Sequence, residues 1–151
     1  MDKLIYQYFS DDAFLRISNK IKEMEKNTSG EIRIAVKEKK NFLERKKSIR
    51  QLAEKEFHKL NMHATRDKTG ILLYLLLGER QFYILADSGI DKIVGQVTWD
   101  AVRDEIQLRF QNGKFCDGLI WGIERVGKIL SEHFPIKAGD TNELSNKIVL
   151  D

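Results

Sequence analysis

The strongest pattern in the chain lies between residues 69 and 91. Two runs of apolar, β-prone residues, ILLYLLL (71–77) and FYILA (82–86), flank the turn-forming stretch Gly78-Glu79-Arg80-Gln81. That arrangement predicts a β-hairpin. Upstream, EIRIAVK (31–37) alternates with period two and places Ile32, Ile34 and Val36 on one face of another strand. Helical spacing governs the rest. Ser10-Asp11-Asp12 offers an N-cap, and Phe14, Ile17, Ile21 and Met24 follow at intervals of three and four until residues 27–30, NTSG, stop the helix. A second helix is expected over residues 42–60, with Ile49, Leu52, Ala53, Phe57 and Leu60 facing inward. After the hairpin, Thr98 is the expected cap of a helix carrying Val102, Ile106 and Phe110, closed by Asn112-Gly113. A last helix carries Leu119, Ile123, Val126, Leu130 and Phe134 and stops at Pro135. Gly118, Gly122 and Gly127 weaken that helix locally, so close packing against a neighbour is their expected role.

The resulting order is α-β-α-β-β-α-α. The β-α-β unit that joins residues 31–37 to 71–77 requires parallel strands with a right-handed crossover, and the hairpin adds an antiparallel third. The expected fold is an α/β three-layer helix–sheet–helix sandwich with a small mixed sheet of three to four strands. The fourth strand would come from Ile148-Val149-Leu150 in the otherwise polar tail, residues 136–151. The whole chain reads as one domain. This topology also sets chemistry in space. Asp67 precedes the first hairpin strand, Asp87, Ser88 and Asp91 follow the second, and Glu31 opens the strand parallel to the first. All five are expected at one rim of the sheet.

Composition narrows the function classes. The 151 residues are 42% hydrophobic and 32% charged, which suits a folded domain with its own core. Cys116 is the single cysteine, so no internal disulfide is possible. The longest apolar run, seven residues at 71–77, is far short of the roughly 20 a membrane helix needs. With no signal-peptide pattern at the N-terminus, the expected location is cytoplasmic and no membrane span is expected. Net charge is +3, but residues 1–70 hold 17 Lys/Arg against 11 Asp/Glu and residues 71–151 hold 9 against 12. The excess centres on KEKKNFLERKKSIR, from Lys37 to Arg50. Such a block reads as a solvated surface or as the docking site of a protein partner. No zinc-finger spacing, helix-turn-helix signature or aromatic-studded RNA motif accompanies it, so nucleic acid is not the expected partner.

Candidate chemistry concentrates at the rim. Asp87, Ser88 and Asp91 supply hard oxygen ligands from one tight turn, and Asp67 and Glu31 would complete a calcium or magnesium site. Gly89 is the expected source of an unusual backbone angle there. Arg66 and Lys68 stand where they would balance a substrate phosphate, and Ser88 would join them as a substrate contact. The bland reading is equally concrete: Asp87 before Ser88-Gly89 is a good helix N-cap, and Asp67 beside Arg66 and Lys68 is an ordinary loop charge. No catalytic residue is assigned. Cys116 lies next to Asp117, which opposes thiolate formation, and His58, His63 and His133 do not have zinc-ligand spacing. Gly70 stands outside any phosphate-cradling motif. Trp99 and Trp121 could anchor an interface, but their helical placement favours the core.

Several blocks in order, SGEIRIAV (29–36), TRDKTGILLYLLLGERQFYILADSGID (65–91), Trp99, FQNGKFCDGLIWGIERVGKILSEHFP (110–135) and NELSNKIVL (142–150), resemble the TPM domain family. That family is named for a thylakoid-lumen protein, a photosystem II repair protein and a worm receptor modulator. The similarity is to its short, stand-alone bacterial branch. It implies a helix–sheet–helix sandwich that binds calcium or another divalent cation in the rim loops. It also implies, by likeness to some plant members, a phosphatase activity. By likeness to others, it implies a non-enzymatic role in the assembly of larger complexes. The chain departs from many members in carrying no leader or anchor pattern, and in having Thr69 where they have Asn before the central glycine.

Overall fold

The structure is a computed structural model that describes residues 3–136 and 148–150. Its centre is β2 (Gly70–Leu76), a strand buried along its whole length. β1 (Glu31–Lys37) pairs with β2 in parallel, and β3 (Gln81–Ala86) pairs with it antiparallel. Within the tail, β4 (Val149–Leu150) adds in parallel to Ala35 and Val36, so the order is β3-β2-β1-β4. A continuous apolar run such as GILLYLL forms a central strand because both faces of the sheet are covered.

One face carries Ile32, Ile34 and Val36 from β1 with Ile71, Leu73 and Leu75 from β2. It packs on α2 (Asp11–Glu25), α5 (Gln96–Gln111) and α6 (Phe115–His133). The other face carries Ala35, Leu72, Tyr74, Leu76 and Tyr83, covered by Leu52, Ala53 and Phe57 of α3 (Ile49–Lys59). The three-layer arrangement with a mixed sheet is therefore present. α6 approaches its neighbours through its glycines: a Cβ on Gly122 would lie 2.3 Å from Ile106 of α5, and one on Gly127 would lie 2.7 Å from Met24 of α2. Hydrogen bonds from Ser29 N–H (2.9 Å) and Thr28 Oγ1 to the Phe134 carbonyl pin the end of α6 to the turn before β1.

Several local expectations are corrected. The helix expected over residues 42–60 is two elements. Phe42–Glu44 form a 3-10 turn in which Asn41 and Glu44 cap each other reciprocally. α3 begins only after Ser48, whose side chain accepts from the Gln51 N–H while Gln51 returns the bond. Two capping boxes in close succession stop a single helix from running through. α5 starts at Gln96 after Gly95, not at Thr98, and the Gln96 amide bonds Ile84 O and Asp100 at 3.0 and 2.9 Å. A helix not foreseen, α1 (Lys3–Tyr8), delivers Ile5 to the core, with Phe9 buried just after its end, and the Ile5 N–H donates to buried Glu38 at 2.8 Å. The hairpin turns through a 3-10 segment, Leu77–Glu79, with Arg80 in the left-handed region at φ 51°. Trp99 is wholly buried, as its helical placement favoured. Residues 142–147 of the resemblance block 142–150 lie outside the described residues.

Candidate functional site

The rim is built by backbone pairing at the start of β1 and β2. The Glu31 N–H donates to Thr69 O at 3.0 Å, and the Asp87 N–H donates to Gly70 O at 2.9 Å. Three chain segments therefore meet where the topology placed them. The loop before β2 is held by buried Thr65, whose Oγ1 accepts from the Thr69 N–H at 3.1 Å. Lys68 sits in the left-handed region at φ 57°, a conformation that costs a non-glycine residue about 1–2 kcal/mol. That turn presents the Lys68 carbonyl to the Gly89 N–H at 2.9 Å. Strain in one loop is thus spent on joining it to the next.

The second segment is a single helical turn, α4 (Ser88–Asp91), capped by Asp87. Asp87 Oδ1 accepts from the Ser88 N–H at 2.7 Å, while Oδ2 is buried with no hydrogen-bond partner. Gly89 is needed for a different reason from the one its sequence context suggested. Its φ is not positive. A Cβ there would lie 2.1 Å from Asp67 O and 2.5 Å from Lys68 O, so the position admits only the close approach of two backbones.

The side chains are less convergent than the backbones. Asp67 and Asp91 are exposed, as is Ser88. Arg66 lies 3.3 Å from Asp67 Oδ2, and the Lys68 ammonium donates to His63 O, so both expected phosphate-balancing cations already contact their own loop. Glu31 is buried on the α3 face of β1, 4.0 Å from the Arg33 guanidinium. Among the described residues, no group of three or more His, Cys, Asp or Glu side chains is placed to hold a metal ion. His58 and His63 have ring centroids 5.5 Å apart on the exposed surface.

One carboxylate at this end was not anticipated. Glu25, the last residue of α2, has Oε2 accepting from the Ile32 N–H at 2.8 Å and from Arg33 at 2.9 Å. It continues the spacing of Ile17 and Ile21 by four, so the apolar stripe itself signalled burial. Burial pushes the Glu25 carboxyl above the ordinary value, and the Arg33 guanidinium opposes that shift. Cys116 is also pushed up, first by burial and only secondarily by Asp117.

Residues 6–129 match the TPM domain family. The chain belongs to the TPM domain family. Its structure is similar to the NMR structure of BA42 from the psychrophilic bacterium Bizionia argentinensis, with a TM-score of 0.85 and 35% identity over 95% of this chain and 96% of that one. Two solution structures of N-terminal domains share the TPM fold at lower identity. The one from P. gingivalis has a TM-score of 0.69 and 14% identity, covering 84% of this chain and 79% of that one. The one from Corynebacterium glutamicum has a TM-score of 0.60 and 12% identity, covering 81% and 74%. No curated protein matches the chain. No helix among the described residues of this TPM domain is long and apolar enough to cross a membrane.

Two predictions follow from the rim's geometry. Gly89→Ala forces a methyl into two carbonyls that cannot move independently, so it should lower the unfolding free energy by about 1–3 kcal/mol. An unchanged urea midpoint would mean that the two loops are not in contact. For Glu25, a folded-state pKa above the unfolded value means that its contribution is full below the unfolded value and is lost as pH rises through the folded one. The stability of wild type relative to Glu25→Gln should therefore increase as pH falls from 7 toward the carboxylate range, measured by urea unfolding at each pH. A difference that is flat, or that slopes the other way, refutes the assignment.

Proposed function

We propose that this TPM domain binds a divalent cation, calcium or magnesium, at the rim where Asp87 stands with Asp67 and Asp91. The observation that carries the reading is Asp87 Oδ2, an acceptor atom buried without a hydrogen-bond partner beside a preformed pair of loops. Buried polar atoms are ordinarily satisfied, and an exception calls for a missing donor or ion. Hard cations accept mixed sets of carboxylates, carbonyls and water, so three clustered side chains are not a requirement. Asp67 can contribute at low cost, because exposed ion pairs such as Arg66–Asp67 are worth only about 0–1 kcal/mol. Glu31 lies buried at the same end of β1 with the Arg33 guanidinium 4.0 Å away, which offsets its charge. So few carboxylates place the affinity near the weak end for calcium, about 10⁻⁴–10⁻³ M.

A bound divalent ion supplies Lewis acidity toward a phosphoryl oxygen. Arg66, Lys68 and the Ser88 hydroxyl are the residues that would then position a phosphate ester, making phosphatase activity the catalytic extension of the same reading. Titration with calcium and magnesium, followed by amide NMR, tests both levels. Saturable shifts should concentrate at residues 66–70 and 86–92 and should weaken about tenfold or more in Asp87→Asn, the scale of losing one charged ligand. Shifts absent from those residues at millimolar metal would end the cation reading. Equal hydrolysis of a phosphomonoester by wild type and Asp87→Asn would end the catalytic extension alone.

A second reading, an interaction module, draws on one observation at the basic segment. Phe42 and Leu43 are 76% and 83% exposed, held rigidly by the Asn41–Glu44 capping box and flanked by Lys39, Lys46 and Lys47. Adjacent, solvent-facing Phe and Leu in a cationic collar fit an acidic partner with an apolar pocket. Complex formation should be lost on Lys46→Glu with Lys47→Glu, and separately on Phe42→Ala with Leu43→Ala. A partner retained by both double variants binds elsewhere.

A further inference from the structure

At the end of the sheet opposite the rim, the structure encloses a cavity of about 230 Å³. Its floor is buried Phe9, Leu75 and Leu77, and its walls are the rings of Tyr8, Phe110 and Phe115. The rings support one another: Tyr8 meets Phe115 edge-on at 4.6 Å, and Phe110 meets Phe115 at 5.7 Å. Protein interiors are close-packed, with few voids larger than one water molecule. This one has the liquid volume of roughly eight waters, yet its floor and walls offer them little to bond. It is smaller than the pockets that take drug-sized ligands, which begin at roughly 300 Å³. An apolar body of about one ring or a short alkyl chain matches it.

The lip of the cavity has the opposite character. It is formed by Arg80, Gln107 and Gln111. Gln107 spends its carbonyl oxygen on the Phe82 N–H, at 3.0 Å, which leaves its amide NH₂ as the group to offer a ligand. Arg80 is placed by the hairpin: its backbone is left-handed, and its N–H donates to Leu77 O at 3.0 Å. The adjacent carboxylate, Glu79, is turned to Lys40 at 3.5 Å. Among the described residues, no acid lies within ion-pair distance of the Arg80 guanidinium. A planar cation with no ion-pair partner among the described residues, next to an amide donor and above a dry aromatic cavity, is complementary to a carboxylate on a compact apolar tail.

From this juxtaposition we propose that the cavity between α1, α5 and the end of β2 binds a small monocarboxylate whose ring or short chain enters the aromatic cavity. Its head group is received at the lip by Arg80 and Gln107. The site is separate from the rim, and its occupancy does not depend on a cation there.

The test is amide NMR titration of the whole chain with 3-phenylpropionate and with hexanoate, each against its neutral amide. Saturable shifts are expected at Leu75, Leu77, Arg80 and Phe110, with each acid binding about tenfold or more tightly than its amide, as befits a charge-assisted pair. Arg80→Gln should abolish that preference while leaving the amides' weaker binding unchanged. Gln111→Glu, an exposed change at the same lip, should weaken the acids selectively by placing a like charge beside the head group. The proposal is overturned if neither acid gives saturable shifts at these residues at about 10 mM, a concentration that would detect even millimolar binding. It is equally overturned if acid and amide bind alike to wild type, or if the preference survives in a folded Arg80→Gln protein.

Discussion

Everything in this TPM domain is arranged around the double-sided burial of β2. A strand with all seven residues buried must find hydrogen-bond partners along both edges and apolar cover on both faces. β1 and β3 supply the edges. The β1–α3–β2 crossover supplies one face, and α2, α5 and α6 supply the other. Once β2 is fixed, the direction of each neighbouring strand decides which loops share an end of the sheet. Rim and cavity are consequences of that constraint.

The two covers are unequal, and the inequality explains the local chemistry. The face under α2, α5 and α6 is a broad apolar core, whereas the α3 face must also accommodate Glu31, Arg33 and Glu56. Buried charges are tolerated only when paired or bonded. Arg33 answers that demand by meeting Glu25 and Glu31. The rim therefore rests on an ionic layer whose geometry is fixed from below, while its outer carboxylates Asp67 and Asp91 remain exposed. A buried ionic base beneath exposed carboxylates differs from the closed cages of structural metal sites.

Much of this arrangement was legible in the sequence. The period-two run at 31–37, the hairpin and the glycine-bearing last helix are strong local signals, and the handedness of the crossover converts them into a rim without further information. Even the edge strand at Val149–Leu150 was foreshadowed by three apolar residues in a polar tail. The failures have physical causes. Residues 42–60 carry helical periodicity, but capping at Ser48 competes with propagation, and hydrogen bonds at particular atoms are invisible to periodicity. Gly89 suggests a conformational requirement in the sequence, whereas its constraint is contact with the backbone of Asp67 and Lys68 in the preceding loop. Register puts Glu31 at the rim, but its burial beside Arg33 is not legible from register alone. Which way its side chain turns depends on Arg33 and on α3, and that information is tertiary.

The division between the two ends of the sheet follows a broader rule. In open α/β sheets, ligands are received beyond the carboxyl ends of the parallel strands, where connecting segments diverge and leave a crevice. Here the acidic rim lies at the amino ends of β1 and β2, where the chain is drawn together by Lys68 and Gly89 and little space remains. The carboxyl end of β2 is where the chain turns away through Leu77–Glu79 into β3 and where α1 folds across, and this is the end that holds the cavity. The tight end is suited to an ion, which needs a few oxygens and no room. The open end is suited to an organic body, which needs room and a few donors. Parallel pairing of β1 with β2, followed by a hairpin, generates both from one strand: its entry is clasped by neighbouring loops, and its exit is splayed.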